Sequence, residues 1–187
     1  TTIGQSGSVV YMLAHGLSTA ALFLTAGFLM QRYRGSSLLS DYSGVNKPAP
    51  VLAGFFLFAA LSSLALPGLV SFVGEFMVLL GTFQRYLWVG ALATLGIVIT
   101  AAYVLRVYQK SMTGPVGSGL EAIKDLRARE ITALVPIVAL SIFLGLYPAP
   151  VLNVVNPAVD TVMSVIGATN PAPTVGSTST TSEGTQQ

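Results

Sequence analysis

Long runs of apolar residues, separated by short polar connectors, set the pattern of this chain. The first run, SVVYMLAHGLSTAALFLTAGFLM, covers about 8–30 and gives way to the polar QRYRGS. The second covers about 51–83. At ~1.5 Å per residue that is too long for one straight crossing of a bilayer core about 30 Å thick. Pro67-Gly68 divides it, and proline both removes a backbone donor and clashes with the preceding turn. The pattern therefore predicts two half-helices, about 51–66 and 69–83. A third run covers about 87–107, and a fourth about 131–147 with Pro136 inside it. The fourth is short for a crossing and ends at YPAP, where Pro148 and Pro150 stop it.

Beyond it, VLNVVNPAVDTVMSVIG is moderately apolar with polar interruptions, as expected of an interfacial segment or an extension of the bundle. The tail ATNPAPTVGSTSTTSEGTQQ is rich in Ser, Thr, Gly and Pro and is expected to be disordered. The expected organisation is a transmembrane bundle over 1–167 and a disordered tail over 168–187. Between the third and fourth runs, Glu121, Lys124, Asp125, Arg127, Arg129 and Glu130 alternate in sign, as a solvated short helix would. The chain opens TTIGQSGSVVYM, without an initiator Met or a basic region before the apolar stretch. That is not a signal peptide, and the chain is expected to be the C-terminal piece of a longer polypeptide.

Composition strengthens the membrane reading. Of 187 residues, 52% are hydrophobic and 9% charged, against about 25% charged in a soluble domain. The fold class that follows is an all-α integral membrane protein, a polytopic helix bundle with one broken helix. A net charge of +2 without a basic stripe argues against nucleic acid. The chain has no cysteine and one histidine, so its own residues supply neither thiolate metal sites nor a multi-histidine centre. Orientation follows from the cations beside the runs. Arg32, Arg34 and Lys47 follow the first run; Arg106, Lys110, Lys124, Arg127 and Arg129 lie between the third and fourth. Arg85 stands alone on the opposite side. Those two basic loops are expected in the cytoplasm and the tail outside.

One residue stands against the apolar background. Glu75 sits in ALPGLVSFVGEFMVLLG, eight residues after Pro67. A charge at mid-membrane depth costs about 2.5–3.5 kcal/mol on insertion scales, so such groups face a bundle interior or a wetted cavity. Desolvation penalises the ionised form of a carboxyl, which makes Glu75 a candidate for loading and unloading a proton. The adjacent break agrees, because irregular backbone at that depth survives only when buried or facing water. The structural alternative is a carboxylate paired with a cation of a neighbouring helix.

His15 is the second candidate. Ser8, His15 and Thr19, seven and four residues apart, share one helical face. Two hydroxyls flanking an imidazole would hold water, and histidine titrates near neutral pH. A neutral histidine bonded to a backbone carbonyl explains the same residue equally well. Gly16, Ala20 and Gly27, and likewise Gly90, Ala93 and Gly96, have the spacing of close helix packing. Trp88 with Tyr33, Tyr42, Tyr86 and Tyr108 falls near run ends, as an aromatic belt does. No P-loop, dinucleotide fingerprint or nucleophile elbow occurs.

HGLSTAALFLTAGFL followed by LPGLVSFVGEFMVLLGTF resembles the C-terminal third of the antiporter-like subunit M family of proton-pumping NADH:quinone oxidoreductase, respiratory complex I. The resemblance runs from about Val9 to Val155 and includes GLYPAPVL. In sister subunits the position matching Glu75 is typically lysine, so GEF after LPG points to subunit M. The resemblance implies a fourteen-helix antiporter-like fold, of which these runs are the last four helices. It puts Glu75 at the proton-channel position of the broken helix and His15 at the axis histidine of the preceding one, with Ser8 and Thr19 as candidate water-path lining. It also implies partner membrane subunits, with NADH, FMN, iron–sulfur clusters and quinone held elsewhere, in a bacterial cell membrane. A multi-subunit cation/proton antiporter, a membrane-bound hydrogenase and a passive scaffold are the alternatives.

Overall fold

The computed structural model describes residues 1–171; the rest of the expected disordered tail lies outside the described residues. Six α-helices follow one another: α1 (Thr2–Arg32), α2 (Pro50–Ser63), α3 (Val70–Arg85), α4 (Leu87–Met112), α5 (Ala128–Leu146) and α6 (Ala149–Val165). No strand occurs among the described residues. Helices α1, α4 and α5 are each long and apolar enough to cross a membrane. Helices α2 and α3, with 14 and 16 residues, each fall short alone.

Together α2 and α3 form one broken crossing, antiparallel to α1. The far end of α1, at Leu29, shares a core with Leu52, Ala53 and Phe56 of α2. Its near end meets α3. There a Cβ on Gly74 would lie 2.7 Å from the backbone nitrogen of Tyr11, and one on Gly7 would lie 2.9 Å from the carbonyl oxygen of Gly74. Side chains at these two positions would hold the helices apart.

The break has a defined geometry. Ala65 N–H donates to Ser62 O and Leu66 N–H to Leu61 O, both at 3.2 Å. This bond pair is the Schellman termination. Its left-handed position carries alanine, with φ +51° at Ala65, where a Cβ costs about 1–3 kcal/mol. Gly68, at φ +99°, makes the second turn. Helix α5 leans on this turn, since a Cβ on Gly145 would run into Gly68 O and the backbone of Leu69. Pro136 sits inside α5 without ending it, as transmembrane helices tolerate. Helix α6 lays Val155, Val159 and Met163 against Val10 and Ala14 of α1, and Asn170 beyond it accepts from Thr2 N–H at 2.8 Å.

The basic loops meet at one end of the bundle. Arg32 pairs with Glu130 and donates to the carbonyls of Phe28 and Lys124, each at 2.7 Å. The Asp125 carboxylate accepts from Val51 N–H at 2.8 Å and Leu52 N–H at 2.9 Å, so it caps α2, which has no side-chain cap of its own. Tyr42 donates to Ser36 O at 2.6 Å; burial, then the charge of Asp41, pushes its phenol up, so the hydroxyl keeps its proton. The short helix suggested by alternating charges between α4 and α5 does not form. Residues 113–127 form turns and extended backbone up to α5, with Gly114 and Gly119 at positive φ, and residues 43–46 make main-chain bonds with 111–113 and 117 at the start of that connection.

Gly16, Gly27 and Gly96 are not packing positions within this chain, since a Cβ on any of them meets nothing within 4 Å. The close crossing uses Gly7 and Gly74, because those faces of α1 and α3 are the ones that meet.

Two expectations follow. In the full-length protein in detergent, Gly74→Ala lowers stability by about 1–3 kcal/mol, read as a reduced melting temperature. Gly7→Ala does the same, and the two effects are not additive because both act on one crossing. Asp125→Ala costs about 1 kcal/mol and speeds hydrogen exchange at the Val51 and Leu52 amides, while Asp125→Asn keeps part of the protection.

Candidate functional site

Glu75 follows the glycine that lets α3 touch α1, so it emerges beside Tyr11. It lines a cavity of about 250 Å³, room for several waters. Tyr11 of α1, Ser63 and Leu64 at the end of α2, and Ala93, Gly96, Ile97 and Thr100 of α4 form the remaining wall. Gly96, open in front, contributes space rather than contact. Thr100 and Ser63 direct their hydroxyls to carbonyls one turn back in their own helices. Glu75 is half-buried, and no cation lies within ion-pair distance of it among the described residues. Nearby, the Ser71 hydroxyl is buried without a protein partner among the described residues, the kind of group an internal water satisfies.

The remaining predicted residues fall on α1. His15 is exposed and does not line the Glu75 cavity. Its ring stacks on Tyr11 with centroids 6.0 Å apart, and its Nε2 lies 3.4 Å from Thr19 Oγ1. Tyr11 thus stands between His15 and the cavity that holds Glu75. Ser8 donates to Gly4 O at 2.9 Å and lines a separate cavity of about 210 Å³ with Gln5, Thr82 and Arg85. That cavity lies at the end of the bundle opposite the basic loops. So Glu75 is brought together with Tyr11, His15 with Tyr11 and Thr19, and Ser8 with a second cavity.

Tyr11, Ser63 and Thr100 were not among the candidates read from the sequence. The signal for Tyr11 was present: it falls three residues after Ser8 and four before His15, on the same stripe. Ser63 and Thr100 carry no local signal, because only the packing of α4 across the break makes them neighbours of Glu75.

No cluster of His, Cys, Asp and Glu that could hold a metal ion occurs among the described residues. The arrangement can hold water and exchange a proton with a carboxyl group.

Residues 1–100 match the family described as NADH:quinone oxidoreductase/Mrp antiporter, transmembrane. The chain is 54% identical over 175 residues to NADH-quinone oxidoreductase subunit M of Mycobacterium tuberculosis, covering 94% of this chain and 32% of that protein. It is 37% identical over 164 residues to the subunit M of Rickettsia prowazekii, covering 87% and 33%. Among solved structures it is similar to respiratory complex I from Thermus thermophilus with bound NADH, at TM-score 0.83 and 33% identity, over 90% of this chain and 35% of that one. The Mrp complex from Dietzia, at TM-score 0.75 and 19% identity over 86% of this chain and 38% of that one, shares the fold. The chain spans about a third of the length of the curated relatives it matches. It is a membrane protein that belongs to the NADH:quinone oxidoreductase/Mrp antiporter transmembrane family.

Proposed function

We propose that this chain is the proton-exchanging C-terminal part of subunit M of a proton-pumping NADH:quinone oxidoreductase. Electrons pass from NADH to quinone in partner subunits, where NADH, FMN, iron–sulfur clusters and quinone are held, and this subunit couples that energy to proton movement. Its neighbours are other antiporter-like membrane subunits. The loops after α1 and α4 face the cytoplasm and the C-terminal tail faces outside, in keeping with the bias of basic residues.

One observation carries the reading: a carboxyl group without a cationic partner among the described residues lines a cavity beside a helix break. Glu75 takes up and releases the transported proton there. A positive charge brought near by the upstream part of the full chain favours release, and neutralising that charge favours retention. His15 relays protons from the centre, with Thr19 and Tyr11 beside it on the same face of α1. The cavity lined by Ser8 supports release toward the side opposite the basic loops.

In the full-length subunit within its complex, Glu75→Gln is expected to cut NADH-driven proton uptake by inverted vesicles to below about a tenth of wild type, with assembly intact. Full retained pumping refutes the role; loss of assembly in place of pumping indicates a structural carboxylate. Tyr11→Phe keeps the ring against His15 but removes a hydroxyl from the cavity. A partial loss of pumping, smaller than that of Glu75→Gln, is the expected result in the same assay.

A further inference from the structure

Where α1 stops and α5 starts, a cavity of about 600 Å³ opens between them and the segment before α5. Arg32, Lys124, Arg127 and Arg129 line it with one carboxylate, Glu130. Arg32 is committed to Glu130 and to backbone carbonyls. Lys124, Arg127 and Arg129 are exposed and make no ion pair among the described residues, so the cavity keeps an excess of three positive charges. Long apolar helices end at this level, which sets the charges at headgroup depth.

A second feature starts at the same end of the bundle. An apolar groove of about 330 Å³ lies between α2 and α5, lined by Val51, Phe55, Phe58 and Val138, with Gly54 at its floor. It begins beside the charges, because Val51 is bonded to Asp125, the neighbour of Lys124. From Val51 to Phe58 is two helical turns, about 10 Å into the membrane. Arg127, the N-cap residue of α5, and Val138, about three turns on, share one side of that helix. A free phosphate would use the charges and ignore the groove. A phospholipid would use both.

We propose that the cationic cavity binds the phosphate of an anionic phospholipid whose acyl chain lies along the α2–α5 groove. The guanidinium groups of Arg127 and Arg129 suit phosphate oxygens, which a planar donor fork meets in pairs; Lys124 adds a point charge. Helix α5 is then held at its start by Arg32 from within the protein and by lipid from outside.

The test is photolabelling of the full-length subunit, in its membrane complex, by a photoactivatable phosphatidylglycerol in phosphatidylcholine vesicles, with the labelled peptides mapped. Labelling is expected within 51–58 and 122–138, competed by phosphatidylglycerol and not by phosphatidylcholine or by millimolar inorganic phosphate. Replacing Lys124, Arg127 and Arg129 together by Gln should lower it by on the order of tenfold or more. The set Lys124→Arg, Arg127→Lys and Arg129→Lys keeps the charge and loses the paired donors of Arg127 and Arg129, so it should lower labelling less than the triple Gln variant does, which separates charge from misfolding. Gly54→Leu, placed where a Cβ meets nothing within 4 Å, should fill the groove and also lower labelling. Labelling indifferent to the triple Gln variant, equal competition by phosphatidylcholine, or displacement by inorganic phosphate overturns the proposal.

Discussion

Direct backbone contact between α1 and α3 is the constraint on which the candidate site depends. In a bilayer, lipid tails are as apolar as leucine, so helices associate through close packing and not by leaving water. Gly7 and Gly74 remove the side chains that would stand between the two backbones. With nothing interposed, the rotation of each helix about its axis is fixed by the crossing. Glu75, next after Gly74, then has one place to go: the side where Tyr11 emerges from α1 and α4 closes the space. The glycines thereby set the position of the carboxyl group without taking part in its chemistry.

The helix break supplies the space. Had α2 continued unbroken, its next turn would have filled the region now walled by Ser63 and Leu64. The Schellman turn ends the helix cleanly, satisfying backbone groups that lipid could not. Alanine holds the left-handed position at a cost, and α5 leans on the turn from the other side through Gly145. The small residues Ala93 and Gly96 leave α4 concave opposite Glu75. The cavity is therefore a product of omitted volume on α4 and of the turn that ends α2.

Much of this was legible in the sequence, and the limits have physical causes. The apolar runs, the break at Pro67-Gly68 and the isolated Glu75 are local signals, readable from hydropathy and from what proline does to a helix. The face of a helix that meets another is not local. Gly16 and Gly96 have good packing spacing, yet the crossing uses Gly7 and Gly74, because which stripe turns inward depends on all the neighbours at once. The cap of α2 lies beyond local reading for the same reason: its acceptor, Asp125, is 74 residues away from Val51. Alternating charges misled in the segment before α5, where Arg32 takes the carbonyls of Lys124 and Asp125 and the Asp125 carboxylate caps α2. Tyr11 was within reach on the His15 stripe, between Ser8 and His15.

Two carboxylates in this bundle show opposite solutions to one energetic problem. Glu130, at the membrane edge, receives the Arg32 guanidinium and the amide of Arg127, the N-cap residue of its helix. Its charge is stabilised in place, and it serves to clamp α5 to α1. Among the described residues Glu75 receives neither, although it lies deeper, where an unpaired charge costs about 2.5–3.5 kcal/mol. A purely structural role would gain from exchanging Glu75 for an apolar side chain of similar size, since a half-buried carboxyl without a partner costs stability. Retaining the carboxyl beside a space large enough for water is intelligible when its two protonation states are both used. The contrast with Glu130 within the same fold is the physical support for the proposed proton exchange at Glu75.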